Sequence, residues 1–202
     1  QIEAIGVVDN NEQASYVENL LKVQKDGKYG LINLDGTELQ TCQYDAITSL
    51  QGITNVVKVQ KDGKYGLINS EGKEIVSTQY ADIYPLAQDN SSNFVVVNDE
   101  GKYGVVSNNN QVILATNYEQ VKDVYSNNYF VVQKDGKEIL AKKDGTEVVL
   151  NGLEEITGIL KNTENGVIFV QGEKYGVMNL SGEVTIEAKY DDLKEAKSGV
   201  FI

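Results

Sequence analysis

Histidine, arginine and tryptophan are absent from these 202 residues, and cysteine, proline and methionine occur once each. Without histidine there can be no Ser-His, Cys-His or His-metal arrangement. Without arginine, and with a net charge of −12, the chain is poorly suited to phosphate backbones or anionic lipid, which lean on guanidinium contacts. No nucleic-acid partner is therefore expected. Cys42 alone cannot form an internal disulfide, which suits either the cytoplasm or an exported protein that uses none. No apolar run approaches the ~18 residues that span a bilayer as a helix. The chain opens at Gln1 without an initiator Met, which reads as a processed or excised form. Abundant Asn, Lys, Ile and Tyr point to an AT-rich bacterial genome. That describes the source and not a function.

What the chain does contain is repetition. Val23-Gln24-Lys25-Asp26-Gly27-Lys28-Tyr29-Gly30-Leu31-Ile32-Asn33 returns almost unchanged at Val59 to Asn69. Further copies run Gly101-Lys102-Tyr103-Gly104-Val105-Val106 and Glu173-Lys174-Tyr175-Gly176-Val177-Met178-Asn179. A decayed copy, Lys134-Asp135-Gly136-Lys137-Glu138-Ile139-Leu140, lies between them. Measured at Tyr29, Tyr65, Tyr103, Glu138 and Tyr175, the spacings are 36, 38, 35 and 37 residues. A second aromatic follows the first by 15 residues at Tyr44, Tyr80, Tyr118 and Tyr190, with Leu153 filling that place in the decayed copy.

Each unit reads as short strands joined by tight turns. A β-branched run such as Val56-Val57-Lys58-Val59 leads into Asp-Gly or Glu-Gly, a hairpin signal because Gly takes positive φ without a Cβ clash. The Lys-Tyr-Gly strand follows. Nine residues after the first turn glycine comes another, Gly36, Gly72 or Gly145, and the third copy holds Asn110 there. A third strand such as Glu74-Ile75-Val76-Ser77-Thr78 and a short apolar segment such as Tyr44-Asp45-Ala46-Ile47 complete the unit. Polar and apolar residues alternate at period two, so the expected class is all-β, in tandem antiparallel repeats of about 36 residues. The whole of 1–202 reads as a single repeat array: a partial unit at 1–19, repeats near 20–50, 56–86, 94–124, 129–159 and 167–197, and the start of a further unit at 198–202.

The run Gly-Lys-Tyr-Gly-Leu-Ile-Asn, then Gly-Lys-Glu-Ile, then Tyr-Asp-x-Ile resembles the bacterial WG repeat. That family's hallmark is an aromatic followed by Gly in a unit of this length. The resemblance covers residues 20–202, with Tyr29, Tyr65, Tyr103 and Tyr175 standing where the hallmark Trp would be; the fourth copy keeps neither aromatic nor Gly. It implies a bacterial repeat protein, exported or at the cell surface rather than cytoplasmic, that mediates interactions.

Units that cannot bury their own faces must stack. A β-propeller with one repeat per blade is preferred, and an open twisted stack of hairpin repeats is the alternative. Ile2-Glu3-Ala4-Ile5 matches a unit's end and Gly199-Val200-Phe201-Ile202 matches a unit's first strand. Such ends would let one blade close from both termini, and a slice through a longer array would look the same.

Tyr29, Tyr44, Tyr65, Tyr80, Tyr103, Tyr118, Tyr175 and Tyr190 are read as architectural, filling gaps between neighbouring units. Gly30, Gly66, Gly104 and Gly176 are read as permitting close backbone approach. Cys42 shares its repeat slot with Thr78, Thr116 and Ala188, a small packing position and no nucleophile. Asp45, Asp82, Glu119 and Asp191-Asp192 recur after the second aromatic, which favours a turn role over an acid-base pair. Asp9-Asn10-Asn11-Glu12 and Asp89-Asn90-Ser91-Ser92-Asn93 lack the pattern of a calcium loop. No metal and no cofactor are expected, and the chain is read as no enzyme.

The segments between units vary most: 10–19, 48–55, 84–93, 124–129 and 158–166. They hold the remaining tyrosines, Tyr16, Tyr84, Tyr125 and Tyr129. An edge rich in Tyr, Asn and Ser has the composition of an adaptable recognition surface. The leading expectation is an interaction scaffold binding a protein or glycan there. The alternative is a small-molecule or glycan module with repeated aromatic pockets at Tyr29, Tyr65, Tyr103 and Tyr175.

Overall fold

Paired left-handed residues decide where the strands reverse. Asp26 and Gly27 have φ of 52° and 78°, Asp62 and Gly63 51° and 77°, Asp135 and Gly136 51° and 69°. Two positive φ values in a two-residue loop match the right-handed twist of the flanking strands. Asn110, in a slot that is glycine in the four other repeats, adopts φ 62°, as its side chain tolerates.

The computed structural model describes residues 1–9, 11–86, 93–125 (the backbone alone for 123–125), 129–148, 152–160, 165–197 and 200–202. Among them every regular element is a strand. Sheet 1 holds β1 (Ile2–Val8), β2 (Ala14–Lys25), β3 (Lys28–Ile32) and β4 (Glu38–Tyr44) in that order. Sheet 2 holds β5 (Ala46–Leu50), β6 (Ile53–Lys61), β7 (Lys64–Asn69) and β8 (Glu74–Tyr80). Sheet 3 holds β9 (Asp82–Pro85), β10 (Asn93–Val97), β11 (Tyr103–Ser107) and β12 (Val112–Tyr118). Sheet 4 holds β13 (Gln120–Tyr125), β14 (Tyr129–Lys134), β15 (Lys137–Lys142) and β16 (Glu147–Val148). Sheet 5 holds β17 (Glu155–Ile159), β18 (Gly166–Gln171), β19 (Lys174–Asn179) and β20 (Val184–Tyr190). A hairpin of β21 (Glu195–Lys197) and β22 (Val200–Phe201) follows. Each four-stranded sheet is an antiparallel meander, the strand plan of a β-propeller blade. The all-β repeat architecture read from the period is therefore the architecture observed.

Hydrogen bonding groups the strands in a different phase from the sequence-derived units. The segment after each second aromatic opens the next sheet instead of closing its own. The cause is a backbone bond made as soon as the chain leaves that aromatic. Asp45 N donates to Gln60 O (2.8 Å), Ala81 N to Val97 O (2.8 Å), Glu119 N to Gln133 O (2.8 Å) and Glu154 N to Val170 O (2.9 Å). Sheet 1 draws all four strands from residues 2–44, and β21 pairs with β22, so within the described residues neither end lends a strand to the other's sheet.

The chain divides into two compact units, Gln1–Thr116 and Asn117–Ile202. In the first, Ile5, Val7, Val17, Leu20 and Leu31 of sheet 1 pack against Ile47, Val57, Val59 and Ile68 of sheet 2. The other face of sheet 2, with Val56, Leu67 and Val76, packs against Ile83, Phe94, Val96 and Val106 of sheet 3. In the second, Val131, Leu140 and Val148 of sheet 4 meet Ile156, Val167, Phe169 and Met178 of sheet 5. Each such side chain contributes about 1.5–3 kcal/mol by leaving water, so the sheets are held through their faces.

The glycine after each hallmark tyrosine has a definite steric reason. Opposite it, the fourth strand bulges: Tyr65 pairs with Tyr80 but Leu67 pairs with Val76, leaving Ser77, Thr78 and Gln79 over Gly66. A Cβ on Gly66 would stand 2.6 Å from Val76 O and 2.8 Å from Thr78 N. The same contact recurs at Gly30 with Gln40 O (2.6 Å), Gly104 with Leu114 O (2.5 Å) and Gly176 with Ile186 O (2.7 Å). In sheet 4 the slot holds Ile139, and the fourth strand there is the two-residue β16. The close approach expected of these glycines is thus to their own sheet's last strand.

Candidate functional site

The two tyrosine slots meet across strands. Tyr29 pairs with Tyr44, Tyr65 with Tyr80 and Tyr175 with Tyr190. Tyr44 and Tyr118 are 3% and 2% exposed, whereas Tyr190 is 45% exposed. Tyr29, Tyr65, Tyr80, Tyr103 and Tyr175 are half-buried. Tyr29 packs against the core between sheets 1 and 2, and Tyr65 and Tyr80 against the core between sheets 2 and 3. Burial raises the phenol pKa of Tyr44, with the Glu74 charge adding to it, and burial raises that of Tyr80. At Tyr118 burial acts first, then the Glu147 carboxylate, to which the hydroxyl donates at 3.1 Å; together they push the pKa up to about 12.

Two hallmark rings carry a lysine of the chain itself. Lys22 Nζ lies 5.1 Å from the Tyr29 ring centroid and Lys58 Nζ 4.2 Å from that of Tyr65. Lys22 also pairs with Glu3 at 2.6 Å, and Lys58 pairs with Asp82 from sheet 3. Lys58 therefore stands between an aromatic face and a carboxylate, both of which attract a cation.

The recurrent carboxylates tie turns together. Asp45 accepts from Asp62 N (2.8 Å) and pairs with Lys28. Glu119 accepts from Gly136 N (3.0 Å), and Glu154 from Gly172 N (3.0 Å). Lys28 and the Asp62 amide hold the Asp45 carboxyl below its ordinary pKa. A role the sequence does not single out belongs to the strand-end asparagines. Asn33 Oδ1 accepts from Thr37 N (2.8 Å), Asn69 Oδ1 from Lys73 N (2.9 Å) and Asn179 Oδ1 from Glu183 N (3.0 Å), closing the second turn of these three units. Cys42 is half-buried with Sγ 4.0 Å from Val23 O.

The four tyrosines assigned to the variable edge all lie on strands. Tyr16 is on β2 opposite Gly6, beside a register shift, and is 67% exposed. Tyr84 is on β9 opposite Val95 and half-buried; burial raises its pKa, with charge on Tyr103 and Asp82 next in order. Tyr125 on β13 pairs with Tyr129 on β14, which pairs in turn with Lys142 on β15. Only Tyr125 and Tyr129 of the four are thus brought into one row. Tyr129, Lys142, Lys143 and Asp144 line a depression of about 480 Å³, with Lys142 Nζ 5.9 Å from the Tyr129 centroid. The stretches 10, 87–92, 126–128, 149–151, 161–164 and 198–199, with much of the variable segments and Asp89–Ser92, lie outside the described residues.

Among the described residues, one acidic side chain is buried. Glu138, in the slot of a hallmark tyrosine, is 6% exposed. It pairs with Lys122 of β13 and accepts from Ile156 N of β17 at 2.7 Å, joining sheets 4 and 5. The signal available in the sequence was the loss of the aromatic itself.

Among solved structures, a eukaryotic initiation factor matches at 7% identity and TM-score 0.43, over 88% of this chain and 55% of its own. Hsv2p of Kluyveromyces lactis matches at 11% and 0.39, over 83% and 64%. BamB of Moraxella catarrhalis matches at 10% and 0.37, over 91% and 67%. The chain thus spans less than two thirds of the length of the first two. No curated protein matches the sequence. The family model described as WG containing repeat matches residues 29–65, 65–103, 103–137 and 175–202, in phase with Tyr29, Tyr65, Tyr103 and Tyr175. With that match running over more than half its length, the chain belongs to the WG containing repeat family.

Proposed function

We propose that this protein is a non-enzymatic interaction scaffold that binds a protein or glycan partner through its variable inter-repeat loops. The observation that carries this reading is an asymmetry between the two ends of each sheet. Second and third strands are joined by closed turns at 26–27, 62–63, 135–136 and 172–173, and in sheet 3 by 98–102, closed by Asn98 N donating to Lys102 O at 2.9 Å. First and second strands are joined by segments that differ at every sheet: 9–13, 51–52, 86–92, 126–128 and 160–165. A scaffold that holds one end constant and varies the other presents diversity where structure tolerates it. Exposed Tyr16 and the Tyr125–Tyr129 row adjoin that variable end. The carboxylates that recur serve turns and ammonium groups, which supports a binding role over hydrolysis. An exported or cell-surface setting in a bacterium suits such a scaffold, and no helix among the described residues is long and apolar enough to cross a membrane.

The test is capture from a glycan array and a peptide library by the wild-type chain and by Tyr16→Ala and Tyr129→Ala. Weakened capture by folded variants supports the edge. Capture that both variants leave intact, or that never occurs, overturns it.

A further inference from the structure

Register equivalence across the repeats singles out one cavity. Lys58 on β6 pairs with Leu67, two residues after Tyr65, and its ammonium lies over the Tyr65 ring and against Asp82. Asp82 stands two residues after Tyr80 and also accepts from Ile83 N at 2.8 Å. In sheet 5 the equivalent positions are Ile168, which pairs with Val177 two residues after Tyr175, and Asp192, two residues after Tyr190. Asp192 likewise accepts from the next amide, Leu193 N, at 2.9 Å. Ring and carboxylate are therefore kept while the lysine between them is exchanged for isoleucine. At that place lies a cavity of about 530 Å³ lined by Tyr175, Ile168, Ile159, Leu193, Asp192 and Glu195, among others.

We infer that this cavity binds an alkylammonium group, its charge over Tyr175 and against Asp192, its carbon chain on Ile159, Ile168 and Leu193. Sheet 2 shows the chemistry already made within the chain, with the Lys58 butyl chain and ammonium as the occupant. The volume is within the range of small-molecule sites. Lys194 also lines the cavity and holds Asp192 Oδ2 at 3.0 Å. It is an exposed ammonium two residues from its partner, so it competes with a ligand from the solvent side and sets the affinity low. The site sits between sheet 5 and the β21–β22 hairpin and uses neither Tyr16 nor Tyr129, the two residues by which the edge is tested.

The probes are n-butylammonium, N-acetyl-lysine methylamide and neutral n-butanol, titrated into the whole chain while the Tyr175 ring signals are followed by NMR. Both amines are expected to saturate in the millimolar range, with n-butanol at least tenfold weaker. Asp192→Asn should weaken amine binding about tenfold, Lys194→Met should strengthen it several-fold, and Ile168→Lys should abolish it by supplying the ammonium internally. Tyr129→Ala should bind amines like the wild type, which separates this site from the edge. Tighter binding of the lysine derivative identifies a partner's lysine side chain as the natural occupant, and tighter binding of butylammonium a free amine. Should Ile168→Lys not fold, the opposed effects of Asp192→Asn and Lys194→Met decide. Equal binding of butanol and butylammonium, Tyr175 signals that do not move, or indifference to Asp192→Asn overturns the inference.

Discussion

Gly66→Ala tests the central steric claim about the repeat. The new Cβ would meet Val76 O at 2.6 Å, Thr78 N at 2.8 Å and Ser77 C at 2.9 Å. All three are backbone atoms of the bulge in β8, so no side-chain rotation relieves them. Gly66 does not have positive φ, so the clash is the whole penalty. An Ala in an open strand position would stabilise by about 0.4–1 kcal/mol through the unfolded chain. Overpacking costs about 1–3 kcal/mol, and contact with three backbone atoms places Gly66→Ala at about 3 kcal/mol. For a chain of this size that lowers the melting temperature by about 6–12 °C. Gly6→Ala is the internal control, because its Cβ would meet nothing within 4 Å and its φ is also not positive. Thermal unfolding followed by circular dichroism, with amide exchange on β7 and β8, measures both. If Gly66→Ala melts with Gly6→Ala, the hallmark glycine is not there to admit the bulge.

Two further outcomes follow from buried polar groups. Tyr118 has its pKa raised from 10.0 to about 12 by burial and by Glu147. Its contribution is therefore fully present below pH 10 and is lost as pH rises toward 12, amounting to about 3 kcal/mol; chemical denaturation across that window should show a steeper decline for the wild type than for Tyr118→Phe, and parallel declines would refute it. Glu138→Ala leaves Lys122 and the Ile156 amide without their shared acceptor, so it should cost about 3 kcal/mol and speed exchange of the Ile156 amide; an unchanged amide would show that the carboxylate does not join the two sheets.

The interaction reading and the ammonium site rest on different tyrosines. Tyr29 and Tyr65 lie under Lys22 and Lys58, so those rings are already in use by the chain. At Tyr175, by contrast, the hallmark ring borders a cavity. Tyr84, placed by composition among the edge residues, is half-buried on β9 and electrostatically coupled to Tyr103. Composition recognises that a segment varies, but it does not register which side of a strand a residue occupies once the segment has paired.

The sequence by itself determined the period, the turns and the strand class. Asp26-Gly27 and Asn110 are legible because left-handed φ is a property of one or two residues and needs no partner. The β-branched run Val56 to Val59 is legible for the same reason: a strand's two faces follow from its own pleat. Tertiary structure alone decided which neighbour each strand joins, because Ala46–Leu50 reads as the same short apolar segment whether it closes one sheet or opens the next. The bond from Asp45 N to Gln60 O selects the second. It also decided that Gly66 lies under a bulge, that Glu138 is buried between sheets, and that Ile168 leaves a space where Lys58 fills one. Those outcomes depend on backbone and charge brought from 10 to 24 residues away, and local propensity does not encode distances across a packed face.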